Sequence, residues 1–317
     1  MTPLDAARLL AAGRLVALPT ETVYGLAARA DDDAAVAQIF SAKGRPADHP
    51  LIVHIAEAAD AALFCPQLPP LAEKLIGAFW PGPLTVVVPR RPGVATAAAG
   101  GQDTLALRCP AHPLFHAVLA ESRRLGVRGL AAPSANRFGR VSPTTAAHVE
   151  QEFDGGIPVL DGGPCAVGIE STIVDCTREA PVLLRPGQLD AAQLEALLGQ
   201  PLQAPDAQAP RASGTLAAHY APRARLRLLS RDQLAAGLAG PTPPGLAVYC
   251  RAPAPPSVVV WAEMPAQPDQ AAQGLFATLR RLDDEGAQEI WVEAPPAADP
   301  RWAGVLDRLQ RAAAAHA

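Results

Sequence analysis

Lysine is almost absent from this chain of 317 residues. Of its 27 basic residues, 25 are arginine, and the two lysines are Lys43 and Lys74. The high content of Ala, Pro and Arg indicates a compositional pressure that replaces lysine wherever arginine serves as well. Lys74 lies in the amphipathic pattern PPLAEKLIGAF and is expected on a solvated helix face. Lys43 lies in SAKGRP and is the stronger candidate, because lysine and arginine are not equivalent beside phosphates or in tight pockets.

The chain also lacks long apolar runs, paired cysteines and a basic excess. No segment is apolar for long enough to cross a bilayer, and the start MTPLDAARLLAAGRL does not have the pattern of a signal peptide. The five cysteines are scattered without a CxxC pair, so we expect a reduced, cytoplasmic protein with neither a disulfide framework nor a zinc site. A net charge of −4 and 4% aromatic residues argue against a nucleic-acid-binding module.

Strand-like apolar runs alternate with helical patterns along the whole chain. Residues 1–199 predict an α/β domain, and the clustering of its late strands favours a mixed sheet. Residues 200–224 are rich in Pro, Ala and Gly and predict a linker. Residues 225–317 predict a second, smaller α/β domain. The predicted strands are RLVA, LIVHI, PLTVVVP, TLALR, GLAAPS, PVLD, STIVD and VLLR in the first domain, and RLRLLS, LAVYC, VVVWA and EIWVEA in the second.

The linker has an unusual charge pattern. Between Asp206 and Asp232 there is no acidic residue, but there are five arginines and the pair His219–Tyr220. One interpretation is a passive segment that lies along an acidic groove. The other is a lid that brings cationic and aromatic groups over an anionic ligand.

Two segments carry groups suited to binding phosphates. SAKGRP places Lys43 and Arg45 around a glycine at the end of a predicted helix, where they would either complement the helix dipole or bind a polyphosphate. APSANRFGR places Ser134 and Asn136 directly after a strand, as in an ordinary polar loop or in a nucleotide site of an α/β sheet. Arg185 adds a cation at the end of VLLR. There is no GxxxxGK[ST] or GxGxxG motif to explain these residues.

A third segment, LPTETVYGL, is unusually polar for the end of a buried strand. Its residues Thr20, Glu21, Thr22 and Tyr24 form either the wet face of a strand or one wall of a binding site. Elsewhere, Ser171 enters the strand STIVD as half of a hydroxyl pair. His54 lies inside the strand LIVHI, where a histidine is more often a core residue than a catalytic one.

Taken together, LPTETVYGL, SAKGRP, HPLIVHI, WPGPLT, LALRCP, APSAN, IESTIVD and VLLRPG resemble the YrdC-like family of threonylcarbamoyl-AMP synthases in order and spacing. These eight motifs cover residues 18–187, and HYAP followed by a second α/β domain is similar to the long, two-domain form. The resemblance implies a twisted mixed sheet with flanking helices and a smaller Rossmann-like C-terminal domain. It also implies synthesis of threonylcarbamoyl-AMP and pyrophosphate from L-threonine, bicarbonate or CO2, and ATP with Mg²⁺. A downstream complex would then modify the adenosine next to the anticodon of tRNA.

The resemblance also implies roles for particular residues, and no residue is assigned to a metal. Lys43 and Arg45 would be catalytic by stabilising charge on the phosphates. The residues implied for the threonine end are Thr20, Tyr24, Arg45, His54 and Ser171, and those implied for ATP are Lys43, Ser134, Asn136, Arg185 and Tyr220. The linker 200–224 would act as a flap that excludes water from a labile intermediate.

Three other functions compete with this reading. An RNA-binding factor is disfavoured by the charge and the few aromatic residues. A carbamoyl transferase that uses carbamoyl phosphate is disfavoured because its relatives carry zinc-finger or acylphosphatase-like sections. A regulator that only binds nucleotide is disfavoured by the intact motif set.

Overall fold

A computed structural model describes residues 1–253 and 260–316, which form two compact units. The first unit contains Met1–Phe138 and Ser142–Thr215, and the second contains Gly139–Val141 and Leu216–Ala317. The division therefore falls inside the predicted linker. Residues 258–259 of the predicted strand VVVWA lie outside the described residues.

An eight-stranded mixed sheet forms the centre of the first unit. Its strands are β1 (Val16–Leu18), β2 (Gly25–Arg29), β3 (Ile52–His54), β4 (Leu84–Pro89), β5 (Thr104–Arg108), β6 (Leu130–Ala131), β7 (Thr172–Asp175) and β8 (Val182–Arg185). They lie in the order β1-β2-β6-β3-β5-β4-β7-β8. Only β3–β5 and β4–β7 pair in parallel, which confirms the predicted mixed sheet.

Seven α-helices of the first unit flank this sheet in the described chain. They are α1 (Pro3–Ala11), α2 (Asp33–Lys43), α3 (Ala61–Phe64), α4 (Pro70–Phe79), α5 (Pro113–Arg124), α6 (Ala146–Glu152) and α7 (Ala191–Leu198), with a 3-10 turn at Ala58–Asp60. Helix α2 shows how local sequence sets the bounds. The Asp32 side chain accepts hydrogen bonds from the first free N–H groups, and Gly44 ends the helix with φ of 62°, a conformation that favours glycine.

The sequence prediction was wrong at one strand and missed another. PVLD is not a strand, because only Val159 forms an isolated bridge, to Ala17 of β1. Strand β2 was missed. Gly25 to Ala28 are all buried, so they do not show the alternation that marks a half-exposed strand.

The two faces of the sheet are covered differently. Val53 and Leu107 point into the main core, whereas their neighbours Ile52 and Ala106 point to the opposite face, since successive strand residues alternate. Part of that opposite face packs against α1 and α5 through a cluster that includes Phe115. Another part is covered by linker residues, Ala209 and Ala212. His54 and Arg108 follow Ile52 and Ala106 by two residues and therefore share this opposite face.

Both edges of the sheet are bridged by single residues from irregular segments. At β1, the N–H of Ala17 donates to Pro158 O and the N–H of Leu160 donates to Ala17 O. At β8, Gln203 bridges Val182, and the N–H of Leu183 donates to Gln203 O at 3.0 Å.

The second unit is built on a parallel sheet of four strands. These are β9 (Arg225–Leu229), β10 (Leu246–Cys250), β11 (Val260–Glu263) and β12 (Glu289–Glu293), in the order β11-β10-β12-β9. Its helices are α8 (Arg231–Leu238), α9 (Pro268–Asp284) and α10 (Ala303–Ala314), with a 3-10 turn at Pro300–Trp302. A parallel sheet with covering helices confirms the predicted Rossmann-like α/β domain. Among the described residues, no helix combines the length and apolarity needed to cross a membrane.

Charged side chains buried in the second unit pair with one another. Glu293 accepts hydrogen bonds from the N–H of Arg251 at 2.8 Å and from its Nη2 at 2.5 Å. Arg308 lies 2.7 Å from an oxygen of Asp307. These pairs satisfy the buried charges within the unit.

Candidate active site

Lys43 ends helix α2 and is more deeply buried than Arg45, the other predicted cation at this helix end. It is 3% exposed, and its Nζ donates to the main-chain oxygen of Ser134 at 2.6 Å and to that of Asn136. Burial lowers the pKa of Lys43 well below its ordinary 10.5, and the charge of Arg45 adds to this shift. The structure therefore brings the SAKGRP and APSAN motifs into contact, and their roles toward ATP stay a prediction.

The loop after β6 holds the two oxygens that Lys43 contacts. Ser134 forms an isolated bridge to Gly25, and the N–H of Ala135 donates to Tyr24 O at 2.8 Å. The Asn136 side chain donates from Nδ2 to Arg137 O at 2.7 Å. This loop is thus fixed from one side by the end of LPTETVYGL and from the other by Lys43.

Arg45 and Arg185 both reach the linker residue Ser213. Arg45 Nη2 donates to Pro50 O at 3.0 Å and lies 3.5 Å from the hydroxyl of Ser213. Arg185 Nη1 donates to Ser213 O at 2.8 Å. Two buried guanidinium groups therefore converge on the same short stretch of linker.

Arg185 also fixes Ser171. Its Nε and Nη2 donate to Ser171 O at 3.0 and 2.9 Å, and Nη2 lies 3.1 Å from the Ser171 hydroxyl. That hydroxyl is 2.7 Å from the hydroxyl of Thr85 on β4. Strands β4, β7 and β8 thus present two hydroxyl groups and a cation on the face that the linker covers.

The Thr20 hydroxyl is fully used inside its own turn. It donates to Val23 O at 2.6 Å and accepts from the N–H groups of Thr22 and Val23, both at 3.1 Å. The Thr22 hydroxyl also lies 2.8 Å from it. Thr20 therefore shapes the turn, and a ligand contact through its hydroxyl stays a prediction.

Tyr24 is used in a similar way. Its hydroxyl donates to Gly163 O at 2.8 Å and accepts from the N–H of Gly162 at 3.0 Å. The neighbouring Asp161 accepts from the N–H of Gly163, which makes a turn. Burial raises the pKa of Tyr24 above its ordinary value. Tyr24 thus holds a loop in place, and its contact with threonine stays a prediction.

His54 lies beside Arg108 in the register of β3 and β5. It is buried against the ring of Phe115, with the ring centres 5.3 Å apart. Burial and the charge of Arg108 lower the pKa of His54 to about 3, so the imidazole is neutral near pH 7. Its Nδ1 makes no well-aligned hydrogen bond among the described residues, and its contact with threonine stays a prediction.

Sequence reasoning missed a buried ion pair between Glu21 and Arg108. Arg108 Nη2 lies 2.6 Å from Glu21 Oε1, and both residues are at least nine-tenths buried. Arg108 Nη1 also donates to the Thr22 hydroxyl at 2.9 Å. The sequence did offer one indication of Arg108. It is the last residue of its strand in LALRCP, as the predicted site residue Arg185 is in VLLRPG.

Tyr220, predicted to contact ATP, lies in the second unit. It is buried there with φ of 62°, stacked on Phe276 at 5.5 Å and contacted by the Arg308 guanidinium at 5.2 Å from its ring centre. The N–H of the next residue, Ala221, donates to Gly139 O. Its role toward ATP stays a prediction.

In the described parts of the chain, no cluster of three or more His, Cys, Asp or Glu side chains is arranged to hold a metal ion. The arrangement is instead one of cations, hydroxyl groups and main-chain oxygens on one face of a mixed sheet. Cations and hydrogen-bonding groups of this kind are suited to an anionic ligand.

Comparisons with known proteins identify the family of the chain. A family model described as "Telomere recombination" matches residues 8–187, and one described as "Threonylcarbamoyl-AMP synthase, C-terminal domain" matches residues 189–314. The chain is 37% identical to the threonylcarbamoyl-AMP synthase of Pyrococcus abyssi, over 97% of this chain and 92% of that protein. The corresponding Bacillus subtilis protein is 43% identical over 71% of this chain and 65% of its own length. The chain belongs to the threonylcarbamoyl-AMP synthase family.

Solved structures give the same result. Sua5 of P. abyssi in complex with L-threonine superposes with a TM-score of 0.88 at 35% identity, over 99% of this chain and 94% of that one. A variant of that protein, with alanine in place of a histidine and the following tyrosine, has the same TM-score and identity. HypF, at 20% identity and a TM-score of 0.50, shares the fold over 28% of its own chain.

Proposed function

We propose that this protein joins L-threonine, bicarbonate or CO2, and ATP to give threonylcarbamoyl-AMP and pyrophosphate. A tRNA-modifying complex in the cytoplasm would then use the product for the adenosine next to the anticodon. The observation that carries the proposal is the convergence of Lys43, Arg45 and Arg185 with Ser171 on one part of the first unit. Its family membership supplies the particular reaction.

The required chemistry is the transfer of an adenylyl group. The threonine amino group first adds to CO2 and loses a proton, which gives the carbamate; bicarbonate supplies the CO2 by losing hydroxide. A carbamate oxygen then forms a bond to the α-phosphorus of ATP while the bond from that phosphorus to the pyrophosphate oxygen breaks. Lys43 and Arg45 would neutralise charge that develops on the phosphates, and their charge is already buried and oriented before the reaction. ATP enters as its Mg²⁺ complex, so the metal is part of the substrate. No covalent enzyme intermediate is needed, and placement of the carbamate against phosphorus supplies much of the rate.

The linker has a supporting role in this proposal. Ala209 and Ala212 pack on the apolar part of the sheet face, and Ser213 accepts a hydrogen bond from Arg185. Carbamates and mixed anhydrides hydrolyse readily, so a segment over this face would protect them from water. We therefore propose that the linker acts as a flap whose start is held by the first unit.

The test is direct detection of the product. Purified protein is mixed with ATP, Mg²⁺, L-threonine and bicarbonate, and threonylcarbamoyl-AMP is measured by rapid mass spectrometry. Product should require every component and should be lost in Lys43→Ala. Lys74→Ala is the matched control, because it removes the chain's other lysine from the exposed face of α4. ATP binding without product in fresh bicarbonate would contradict the synthase and favour a nucleotide-binding regulator.

A further inference from the structure

Arg211 of the linker is bound to the rest of the first unit through its main chain and its side chain. Its N–H donates to Gln102 Oε1 at 2.8 Å, and its main-chain oxygen accepts from Gln102 Nε2 at 3.1 Å. Its Nη2 donates to Gly100 O at 2.9 Å, and its Nη1 donates to Asp48 Oδ2 at 3.0 Å. We call these four residues the linker clasp. The side chain of Gln102 thus satisfies both main-chain groups of residue 211, as a neighbouring strand would.

The linker clasp lies against the loop that contains Arg45. Gly100 packs on this loop so closely that a Cβ there would be 2.5 Å from Asp48 O and 2.9 Å from Pro50 N. Pro50 O in turn accepts from Arg45 Nη2 at 3.0 Å. On the linker side, the hydroxyl of Ser213 lies 3.5 Å from the same Arg45 nitrogen. The clasp therefore joins two segments that both contact the Arg45 guanidinium.

The amide of Gln102 is the stronger part of the clasp. The side chains of Arg211 and Asp48 are 52% and 64% exposed, so water and salt screen their ion pair. The two hydrogen bonds of Gln102 instead fix the linker backbone itself. Loss of the Gln102 amide should therefore release the linker more than loss of the Arg211 guanidinium.

We propose that Gln102 and Arg211 are positioning residues that hold the linker against the Arg45 loop during the reaction and so keep water from the α-phosphorus. This inference rests on the proposed function, because it concerns the nucleophile of that reaction. When the linker is released, a water oxygen forms the bond to the α-phosphorus, the bond to pyrophosphate breaks and the water loses a proton. The products are then AMP and pyrophosphate instead of threonylcarbamoyl-AMP and pyrophosphate.

The partition between these two sets of products separates a role in the reaction from a role in stability. A residue that only stabilises the fold changes the amount of active protein, but each turnover still yields threonylcarbamoyl-AMP. A residue that holds the linker changes the share of turnovers that are lost to water. Pyrophosphate counts all turnovers, since both routes release one molecule of it.

The test measures threonylcarbamoyl-AMP and pyrophosphate in the same rapidly quenched samples. Gln102→Ala should lower the ratio of threonylcarbamoyl-AMP to pyrophosphate about fivefold, the factor for one typical hydrogen bond. Arg211→Met should lower it less, by about twofold. Asp206→Asn is the matched control, because it removes the charge of another linker ion pair, in which Arg178 Nη1 lies 2.9 Å from both Asp206 oxygens. The control should keep the ratio of the wild type.

Trypsin provides a second measurement, which needs no substrate. It cleaves after Arg211 only when the linker leaves the surface of the first unit, so cleavage there should be about fivefold faster in Gln102→Ala than in the wild type or the control. An unchanged product ratio in Gln102→Ala would overturn the proposal, even if kcat fell, and so would unchanged cleavage. If Gln102→Ala does not fold, the product ratio of Arg211→Met decides. A wild type that makes no threonylcarbamoyl-AMP would remove the proposed function and this role with it, whereas faster cleavage would still identify the clasp.

Discussion

Lys43 and Arg185 of the first unit are held differently from two ion-paired arginines, Arg108 of the same unit and Arg251 of the second unit. In the first unit, Lys43 donates to main-chain oxygens, and Arg185 donates to main-chain and hydroxyl oxygens. In the second unit, Arg251 pairs with the buried carboxylate of Glu293. Neutral oxygens position a cation without cancelling its charge, whereas a carboxylate cancels it. The contacts of Lys43 with main-chain oxygens therefore leave its charge available for a ligand, whereas the Arg251–Glu293 pair stabilises the second unit.

The way in which Lys43 is held lowers the stability of the first unit. Burial of an ammonium group without a carboxylate disfavours its charged form, and the pKa of Lys43 is lowered for this reason. Active sites commonly accept such a loss of stability in exchange for chemistry. Substitutions in the two units should consequently separate activity from stability.

The largest expected effect is on activity, in Lys43→Met. We expect kcat/KM for ATP to fall about 10²- to 10³-fold, since the substitution removes a preorganised positive charge. The free energy of unfolding should change by less than about 1 kcal/mol, because relief from burying the ammonium offsets two unsatisfied carbonyl groups. Steady-state kinetics and urea unfolding measure the two quantities. A large loss of stability would show that Lys43 is mainly structural.

The converse substitution is Arg251→Met in the second unit. It removes the guanidinium from the buried Glu293 carboxylate, which keeps only the main-chain N–H of residue 251, and should destabilise that unit by about 3 kcal/mol. Three of the four tryptophans (Trp261, Trp291 and Trp302) lie in the second unit, so their fluorescence reports its unfolding in urea. We expect kcat/KM of the folded protein to stay within about threefold of the wild type. A stability equal to that of the wild type would contradict the assigned role of this pair.

The smallest effect is a pH dependence. Phosphates bind the protonated form of Lys43, which is present below its lowered pKa and lost as the pH rises through it. ATP affinity should therefore weaken with rising pH, by up to about tenfold per pH unit above that pKa. In Lys43→Arg the charge persists at high pH. The decrease of ATP affinity with rising pH should therefore disappear, even if the affinity itself is lower. An identical pH profile in both proteins would exclude Lys43 as its origin.

Much of the fold was predictable because strand and helix periods are local properties of the sequence. The mixed sheet and the second, smaller α/β domain were both predicted from the order of strands and helices. Strand β2 was missed because Gly25 to Ala28 are buried on both faces, and no alternation remains in the sequence. The strand predicted at PVLD was wrong, because an apolar run does not reveal whether its backbone pairs with a neighbour at more than one residue.

The site was predictable to the extent that its chemistry lies at strand and helix ends. Lys43, Ser134 and Asn136 were predicted to act together, and they lie together in the structure. The Glu21–Arg108 pair was not predictable, because 86 positions separate Thr22 from its partner Arg108 and only the fold brings these segments together. Likewise, no sequence pattern reveals that the Thr20 hydroxyl is already used by its own turn.

The bridge at Gln203 has a consequence for aggregation. Strand β8 ends the eight-stranded sheet, and an open edge of this kind offers unpaired N–H and C=O groups to other chains. Gln203 occupies part of that edge, just after α7 and at the start of the linker. The linker thus shields the sheet before it reaches Ser213. A version of the chain shortened at this point would lose solubility, even if its residues at the active site were intact.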